Sequence, residues 1–166
     1  DIAKFQLGWR AGKGEINSLG KQEIQLIYEC CDYHKIEPMF SILSAEALKL
    51  ISNFDFCSIK IASRTVADNP ALARDIIALG KRTFISLGMW NGEGLPFERS
   101  ENIEYLWCRS EYPTYPWALT DLPKKFGYDG IVGYSDHTVG IEVPLMALVR
   151  GAKVIEKHFT LDKSDT

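Results

Sequence analysis

The sequence predicts an α/β fold, a TIM (β/α)8-type barrel that is incomplete by one strand. Strand-like runs alternate with helical patterns, the strand-like runs are rich in Ile, Val and Phe, and seven of them occur. Such alternation is typical of a parallel sheet, whose strands are covered on both faces and are therefore apolar. A complete barrel has eight strands and about 250 residues. We therefore interpret residues 1–166 as part of a barrel domain whose first strand would precede Asp1.

The strands are predicted from short runs of β-branched, aliphatic and aromatic residues between turn residues. In chain order they cover Ile2–Leu7, 38–43, 56–62, 82–87, Ile103–Cys108, 131–135 and 152–159. Two of the connections between strands are predicted to contain little helix. The first, 90–102, contains Gly and Pro and has room for at most a stub, and the second, 113–128, has room for one or two turns around 121–126.

The helices are predicted from apolar residues that recur at helical spacing. They cover Lys21–His34, 44–51, 69–79 and 140–150. Ser44 is a candidate N-cap, because its side-chain oxygen can accept from the first unpaired backbone N–H groups of a helix, and Asn69-Pro70 opens the third helix. Gly80 is a candidate C-cap, where glycine accepts a left-handed backbone, and the last helix ends at Gly151.

Composition excludes several classes of protein. The chain is 46% hydrophobic and 25% charged with a formal net charge of −3, which is a globular composition with enough apolar residues for one sizeable core. Lys and Arg are scattered, so we expect no nucleic-acid partner, and no apolar run reaches the ~20 residues of a membrane helix. The four cysteines form no C-x-x-C motif, and we expect reduced thiols in a cytoplasmic protein.

Two of the three histidines lie at or just beyond the ends of consecutive predicted strands. His137 ends the segment Gly-Tyr-Ser-Asp-His, and His158 ends the segment Ile-Glu-Lys-His. The carboxyl ends of parallel strands meet at one edge of the sheet, where α/β proteins build their sites. A single histidine at a strand end is more often structural, but a matched pair of imidazoles favours a shared metal ion.

Lysines and serines form a second pattern. Lys60 interrupts an otherwise apolar strand, and Lys4 shares a strand face with Gln6. A buried lysine is costly unless it meets an anion or a carboxylate, and serine hydroxyls donate to oxyanions. The pattern resembles the lining of a phosphate or carboxylate pocket, while an ion pair of Glu156 with Lys60 or Lys4 is the structural alternative. The serines at strand ends are Ser63, Ser86, Ser110 and Ser135.

Three longer motifs then carry a family resemblance. They are Ser-Glu-Tyr-Pro-Thr at 110–114, Gly-Tyr-Ser-Asp-His-Thr-Val-Gly-Ile at 133–141, and Gly-Ala-Lys-Val-Ile-Glu-Lys-His-Phe-Thr-Leu-Asp-Lys at 151–163. With Lys-Phe-Gln at 4–6 and Lys-Ile-Ala-Ser at 60–63, they closely resemble the sialic acid synthase family, which makes N-acetylneuraminate, legionaminate, pseudaminate and related nonulosonates. The resemblance runs through the whole chain and is densest from Cys108 onward.

The resemblance implies a barrel enzyme that condenses phosphoenolpyruvate with an N-acetylated amino-sugar aldehyde, such as N-acetylmannosamine, and releases phosphate. It implies that His137 and His158 bind a divalent metal, usually Mn²⁺, with Mg²⁺ and Co²⁺ as alternatives. Glu156 and Lys60 are the implied catalytic residues, and Glu156 is the candidate for moving protons. The implied substrate-binding residues are Lys4, Gln6, Ser41, Lys60, Ser63, Ser86, Ser110, Tyr112 and Ser135.

The chain also departs from the family. Where members often have Ser-Gly-Glu, this sequence has Ser63, Arg64 and Thr65, and the glutamate of the family lies near the sugar. The sequence therefore does not identify the acceptor sugar. The resemblance further implies a first-strand glutamate, a sugar-contacting loop, a C-terminal antifreeze-like domain and a homodimer, and we expect these protein parts outside the 166 residues. A non-catalytic sugar- or phosphate-binding barrel is the alternative to a synthase.

Overall fold

The computed structural model describes residues 1–10, 15 and 18–159, so the last four residues of the 151–163 motif lie outside the described residues. The chain divides into two compact units. Unit 1 holds Asp1–Ile85 and Ser100–Ile103, and unit 2 holds Ser86–Arg99 and the residues from Glu104 onward. No helix in the described ranges combines the length and the apolar character that a membrane span requires.

Unit 1 is built from parallel strands that alternate with helices. Each strand pairs in parallel with the next one along the chain. The strands are β1 (Ile2–Leu7), β2 (Glu37–Ile42), β3 (Ser58–Ile61) and β4 (Arg82–Ser86), of which the last residue belongs to unit 2. The helices are α1 (Lys21–His34), α2 (Ala45–Ile51), α3 (Ser63–Asp68) and α4 (Pro70–Ile77).

Helix caps and isoleucine-rich strands shape unit 1. The Ser44 hydroxyl accepts from Ala47 N at 3.1 Å, so the predicted N-cap is confirmed. Asn69, which was predicted to open a helix, caps α4 by accepting from Leu72 N at 3.1 Å. The sequence did not predict α3, which is separated from the end of β3 by a single residue, Ala62. The core comprises fully buried side chains that include Leu7, Ile24, Phe40, Ile42, Ile51, Ile59, Ile61, Ile76, Phe84 and Ile85.

Unit 2 has more irregular connections. It holds β5 (Ile103–Cys108, whose first residue lies in unit 1), β6 (Ile131–Asp136), α5 (Glu142–Val149) and β7 (Val154–Lys157), with parallel pairing of β5 to β6 and of β6 to β7. The helical turns predicted at 121–126 are wrong, because the connection instead contains a single 3-10 turn at Pro116–Ala118. Its core consists of Leu119, Leu122, Phe126, Tyr134, Val143, Ala147 and Ala152.

Candidate functional site

A row of polar side chains crosses three strands of unit 1. The parallel register places Gln6 beside Ser41 and Ser41 beside Lys60. Lys4 lies two residues before Gln6 and therefore shares its face of β1. Lys60 is only 2% exposed, and its Nζ donates to Ile61 O at 2.8 Å. The predicted shared face of Lys4 and Gln6 is confirmed, and an ammonium group lies within the interior of this unit.

The segment that follows β3 also turns inward. Ser63, the first residue of α3, is buried. Thr65 is buried as well, and its Oγ1 donates to Ile42 O at 3.2 Å at the end of β2. The position where family members often have a glutamate therefore carries a hydroxyl that is bonded to the backbone. Unit 1 supplies no carboxylate from that position.

The first histidine of unit 2 is held in one orientation. His137 follows β6, and its Nδ1 lies 2.8 Å from Arg109 O. Because a carbonyl oxygen only accepts hydrogen bonds, Nδ1 carries a proton, and in the neutral ring Nε2 keeps its lone pair. Nε2 then accepts from the Tyr112 hydroxyl, 2.9 Å away. A fixed tautomer with a basic outer nitrogen is the form in which histidine binds metals.

The second histidine lies beside the first. The rings of His137 and His158 are 5.4 Å apart between centroids. The Tyr112 ring is 4.4 Å from the His137 ring and 6.4 Å from the His158 ring, and it meets the latter edge-on. Tyr112 is 70% exposed, so its hydroxyl can leave Nε2 when a ligand arrives. The sequence prediction that the two histidines meet at adjacent strand ends is confirmed.

A carboxylate and two serines lie close to the histidine pair. Ser135 and Glu156 each lie two residues before a histidine, and Ser86 contacts Glu156. Ser135 on β6 is in register with Cys108 on β5 and with Glu156 on β7. Ser86 Oγ donates to Glu156 Oε2 at 3.4 Å. Ser86 and Ser135 are buried, whereas Glu156 is half-buried. A carboxylate with a hydroxyl donor at one oxygen has a defined orientation for proton transfer.

Burial and neighbours act in opposite directions on the pKa of His137. Burial alone would lower the pKa of the imidazole. The Cys108 thiol, which lies 3.8 Å from Nδ1, the Arg109 carbonyl and the charge of Glu156 outweigh burial, and the pKa of His137 is raised. Protons therefore compete more strongly for this ring than for an ordinary histidine.

An ion pair that sequence reasoning missed ties the two strand ends together. Asp136 and Lys157 precede the two histidines and are in register, and Lys157 Nζ donates to Asp136 Oδ2 at 2.5 Å. Asp136 Oδ1 also accepts from Tyr134 Oη at 2.6 Å and from Thr138 Oγ1 at 2.7 Å. Opposite charges one residue before each histidine were the signal in the sequence. If β6 and β7 are aligned so that their histidines match, Asp136 and Lys157 lie side by side, and the ion pair could have been predicted.

These partners keep Asp136 ionised. Burial alone would raise the pKa of its carboxyl, but the hydrogen bonds from Lys157, Tyr134 and Thr138 lower the pKa below its ordinary value. Burial and the bond to Asp136 raise the pKa of Tyr134, so that its hydroxyl remains a donor. The network therefore has a fixed protonation state at neutral pH and holds the residues on both sides of His137.

A close backbone approach brings β6 and β7 together at Gly133. A Cβ on this residue would collide with the carbonyl oxygen and the Cβ of Val154 on β7, and with the Leu106 side chain on β5. Glycine at this position lets the three strands approach each other. The same strands end a few residues later in Cys108, His137 and His158.

A cavity of about 410 Å³ lies at the carboxyl end of β5. Arg109 lies in its lining, with its guanidinium 3.2 Å from Glu111 and 2.7 Å from Asp121. Ser110 lies in the same wall, and its Oγ is 3.8 Å from Cys108 Sγ. The lining residues are Leu87, Gly88, Trp90, Trp107, Cys108, Arg109, Ser110, Glu111 and Asp121.

The histidine pair fits a divalent metal through its donor chemistry. Imidazole nitrogens suit first-row transition metals, and the bond from Nδ1 to a carbonyl is the usual support of a ligating histidine. Within the described part of the chain, no third His, Cys, Asp or Glu joins the pair in a metal-binding group. A metal held here would keep coordination positions for other ligands.

A family match identifies the chain. The model of the NeuB family matches residues 14–166. The chain belongs to the NeuB family. The resemblance to sialic acid synthases is thereby confirmed, and the curated relatives of this NeuB member bear names of the same kind.

The N,N'-diacetyllegionaminic acid synthase of Campylobacter jejuni is 34% identical over 92% of this chain and 48% of its own length. The pseudaminic acid synthase of the same species is 35% identical over 83% of this chain and 43% of its own length. The N-acetylneuraminate-9-phosphate synthase of Drosophila melanogaster is 29% identical over 86% of this chain and 41% of its own length. The NeuB chain spans about half the length of the curated relatives it matches.

Solved structures confirm the fold. The N-acetylneuraminic acid (sialic acid) synthetase of Leptospira borgpetersenii matches with a TM-score of 0.72 at 24% identity, over 97% of this chain and 63% of that one. A putative spore coat polysaccharide biosynthesis protein E of Chromobacterium violaceum matches with a TM-score of 0.71 at 22% identity, over 98% and 56%. This likeness shows the fold alone, and it agrees with the predicted incomplete barrel of seven parallel strands.

The predicted site residues fall into both units. The histidine pair, the hydroxyl of Tyr112 and the Ser86–Glu156 contact are assembled in unit 2, and the row through Lys60 is assembled in unit 1. The roles of all of them remain predictions. The predicted residues of unit 1 are Lys4, Gln6, Ser41, Lys60 and Ser63, and those of unit 2 are Ser86, Ser110, Tyr112, Ser135, His137, Glu156 and His158.

Proposed function

We propose that this NeuB chain is the barrel part of a synthase that condenses phosphoenolpyruvate with an N-acetylated amino-sugar aldehyde to a nonulosonic acid and releases phosphate. The observation that carries the proposal is the paired imidazoles of His137 and His158, one of them fixed as a tautomer whose Nε2 can bind a metal. The names of the relatives support the product class.

Lys4 and Lys60 would bind phosphoenolpyruvate, which carries a phosphate and a carboxylate. An ammonium group inside a protein has a high desolvation cost that a bound anion offsets. Lys60 is buried on β3; the neighbouring strand β2 contributes the hydroxyl of Ser41, and β1, on the far side of β2, contributes the amide of Gln6. Neutralising the charge of phosphoenolpyruvate lets its C3 carbon approach an electrophile.

His137 and His158 would hold the divalent metal, which we propose to be Mn²⁺, with Mg²⁺ and Co²⁺ as alternatives. When bound, such a metal polarises a carbonyl oxygen as a Lewis acid. The carbonyl of Arg109 and the Asp136–Lys157 pair would fix the imidazoles. The Tyr112 hydroxyl would give up Nε2 and become available as a donor to the sugar.

In the reaction, C3 of phosphoenolpyruvate forms a bond to the aldehyde carbon, and the aldehyde oxygen takes up a proton. Water adds to C2, loses a proton, and the C2–O bond to phosphate breaks as the ketone forms. Glu156 is our candidate for one of these proton transfers, since Ser86 orients its Oε2. The balance is one phosphoenolpyruvate, one sugar and one water to one nonulosonic acid and one phosphate.

A second candidate is a barrel that binds the ligands without turnover. The sequence Ser63, Arg64 and Thr65 favours it, because Thr65 replaces a glutamate near the sugar and bonds to the backbone instead. We propose a cytoplasmic protein in either case, in keeping with its four free thiols, and a homodimer.

The test is phosphate release from phosphoenolpyruvate with Mn²⁺ and a panel of N-acetylated mannosamine-type sugars. Release that requires one sugar and stops on chelation would establish the synthase and identify the acceptor. Binding of phosphoenolpyruvate and sugar with no release would favour the non-catalytic barrel. Glu156→Gln is the matched variant, and we expect it to lower release while leaving phosphoenolpyruvate affinity unchanged.

A further inference from the structure

The cavity at the end of β5 has an aromatic wall on the strand face that the candidate catalytic residues do not share. The register places Trp107 beside Tyr134 and, one residue further along, Cys108 beside Ser135. Because side chains alternate between the two faces of a strand, Trp107 packs with Tyr134 on the apolar core of unit 2, whereas Ser135 shares its face with Glu156. Trp107 therefore lines the cavity from outside the proposed catalytic site.

Two tryptophan rings in this lining are held in place. Trp90 Nε1 donates to Gly94 O at 3.0 Å, and Gly92 lies so close to the Trp90 ring that a Cβ on it would collide with the ring. The Trp107 ring lies 5.5 Å from the Tyr134 ring between centroids. A ring that is already fixed in a cavity wall can pack against a ligand without the entropic cost of ordering a mobile side chain.

Three charged side chains complete the lining. Arg109 contacts Oε1 of Glu111 at 3.2 Å and Oδ1 of Asp121 at 2.7 Å, which leaves the second oxygen of each partly exposed carboxylate as an acceptor. One positive and two negative groups give the lining a net negative charge, which disfavours an anionic ligand. The guanidinium in the same wall disfavours a cation. These residues therefore suit a neutral ligand that carries hydroxyl donors.

We propose that this cavity binds the ring of a neutral sugar at a second site in unit 2. A pyranose has an apolar C–H face that packs on an aromatic ring, and its edge carries hydroxyl groups that donate to carboxylates. The volume of about 410 Å³ lies within the range of roughly 300–1,000 Å³ for small-molecule pockets and accommodates a monosaccharide. The proposal does not depend on the proposed reaction, since a sugar bound here does not react.

Methyl glycosides test the second site without the reaction, because the glycosidic methyl group prevents the ring from opening to an aldehyde. Saturation-transfer difference NMR of the protein with the methyl α-glycosides of glucose, mannose, galactose and N-acetylglucosamine detects binding at roughly millimolar affinity. We expect at least one of them to bind, with the strongest transfer to the C–H protons of one ring face. The uronic acid derivative of the sugar that binds is the anionic control, and we expect it to bind at least about 5-fold more weakly.

Two variants and a matched control assign the binding to the cavity. Trp90→Ala should lower glycoside affinity by at least about 10-fold, because it removes the packing surface of the sugar ring. Asp121→Asn removes one negative charge and should narrow the preference for the neutral sugar over its uronic acid derivative. Trp117→Ala is the control, since Trp117 stacks on Tyr115 at an exposed position outside the lining. Asp121 is about half exposed, so this variant keeps the test valid if Trp90→Ala does not fold.

Absence of binding by all four neutral glycosides would overturn the proposal. Equal binding of the neutral sugar and its uronic acid derivative would do so too, as would loss of binding in Trp117→Ala instead of Trp90→Ala. Binding should persist in His158→Ala, and its loss there would place the sugar at the histidine pair and reject a second site. The phosphate-release assay keeps the two proposals apart. Release by a protein that binds no glycoside would retain the synthase and reject the second site, whereas Trp90-dependent glycoside binding without release from any sugar would do the reverse.

Discussion

Units 1 and 2 carry different chemistry at the carboxyl ends of their strands. Unit 1 presents cations: a buried lysine within β3 and arginines just after β1 and β3. Unit 2 presents two imidazoles and a carboxylate, and hydrogen bonds fix the orientation of the His137 ring and of the Glu156 carboxylate. A cation that neutralises an anion works from many angles, whereas a metal ligand or a proton donor works in one. Unit 1 therefore supplies positive charge, whereas unit 2 supplies side chains whose orientation is fixed.

Replacing either histidine of unit 2 should have the largest effect of the substitutions considered. If it did not, the assignment of metal binding to unit 2 would fail. We expect His137→Ala and His158→Ala each to lower Mn²⁺ affinity by at least about 100-fold, because each removes a ligand and not merely its support. Calorimetry with Mn²⁺ and urea unfolding would separate loss of the site from loss of the fold. His34→Ala, at the exposed end of α1, is the control. Unchanged Mn²⁺ affinity in either variant would remove unit 2 as the metal site.

The next effect tests the charge of unit 1. Lys60→Met keeps the length of the buried side chain and removes its charge, so we expect phosphoenolpyruvate affinity to fall by about 10- to 100-fold with the fold retained. Sugar and Mn²⁺ affinities should change far less. Lys49→Met on α2 is the matched control, and calorimetric titration should show that its phosphoenolpyruvate affinity is unchanged. Equal losses for sugar and phosphoenolpyruvate would reduce Lys60 to a structural residue.

Asp136→Asn separates orientation from ligation. The amide cannot ion-pair with Lys157, so we expect about 10-fold weaker Mn²⁺ binding and about 2 kcal/mol lower stability at pH 7. The pKa of Asp136 is lowered in the folded state, so its stabilisation is complete above the unfolded pKa of about 4 and declines as the pH falls below it.

Urea unfolding of the wild type and Asp136→Asn at pH 7 and pH 3 measures this dependence. The gap between the two proteins should narrow at the lower pH. A gap that is independent of pH would show that Asp136 is not ionised in the folded protein. Mn²⁺ titrations of the same variant should show weaker binding, and unchanged binding would confine the ion pair to stability.

The smallest expected effect lies outside both sites. Ser44→Ala removes the N-cap of α2, and we expect unfolding free energy to fall by about 1 kcal/mol with ligand affinities unchanged. Ser52→Ala at the other end of α2 should cost less, since its hydroxyl donates to a helix carbonyl at an exposed position. A change in phosphoenolpyruvate affinity in Ser44→Ala would show that α2 helps position the row through Lys60.

Local sequence signals predicted most elements. The bounds of β1, α1 and β5 match the structure, because apolar periodicity and flanking turn residues agree at those segments. Helix α3 was missed because it is six residues long and begins where β3 ends, which leaves no periodic pattern to detect. At 121–126, Leu122 and Phe126 are buried by contacts with distant residues, so their spacing reflected packing and not a helix.

The sequence identified individual site residues, but it did not reveal the contacts between them. The two histidines were visible because they follow consecutive strands. The carbonyl of Arg109 that fixes His137 lies 28 residues away, and spacing alone does not reveal such a contact. The contact of the Arg64 guanidinium with the Trp9 ring likewise joins residues that follow different strands, and only the folded chain brings them together.

Gly133 connects the framework of unit 2 to its ligands. Since no side chain separates β6 from β7 at this point, the spacing of the two histidines is inherited from contact between backbones. Any larger residue would push β7 outward and carry His158 with it, although the substitution touches neither imidazole. Even alanine at this position would force the strands to shift, so directed evolution of metal preference would have to search the residues around the histidines and leave the strand spacing alone.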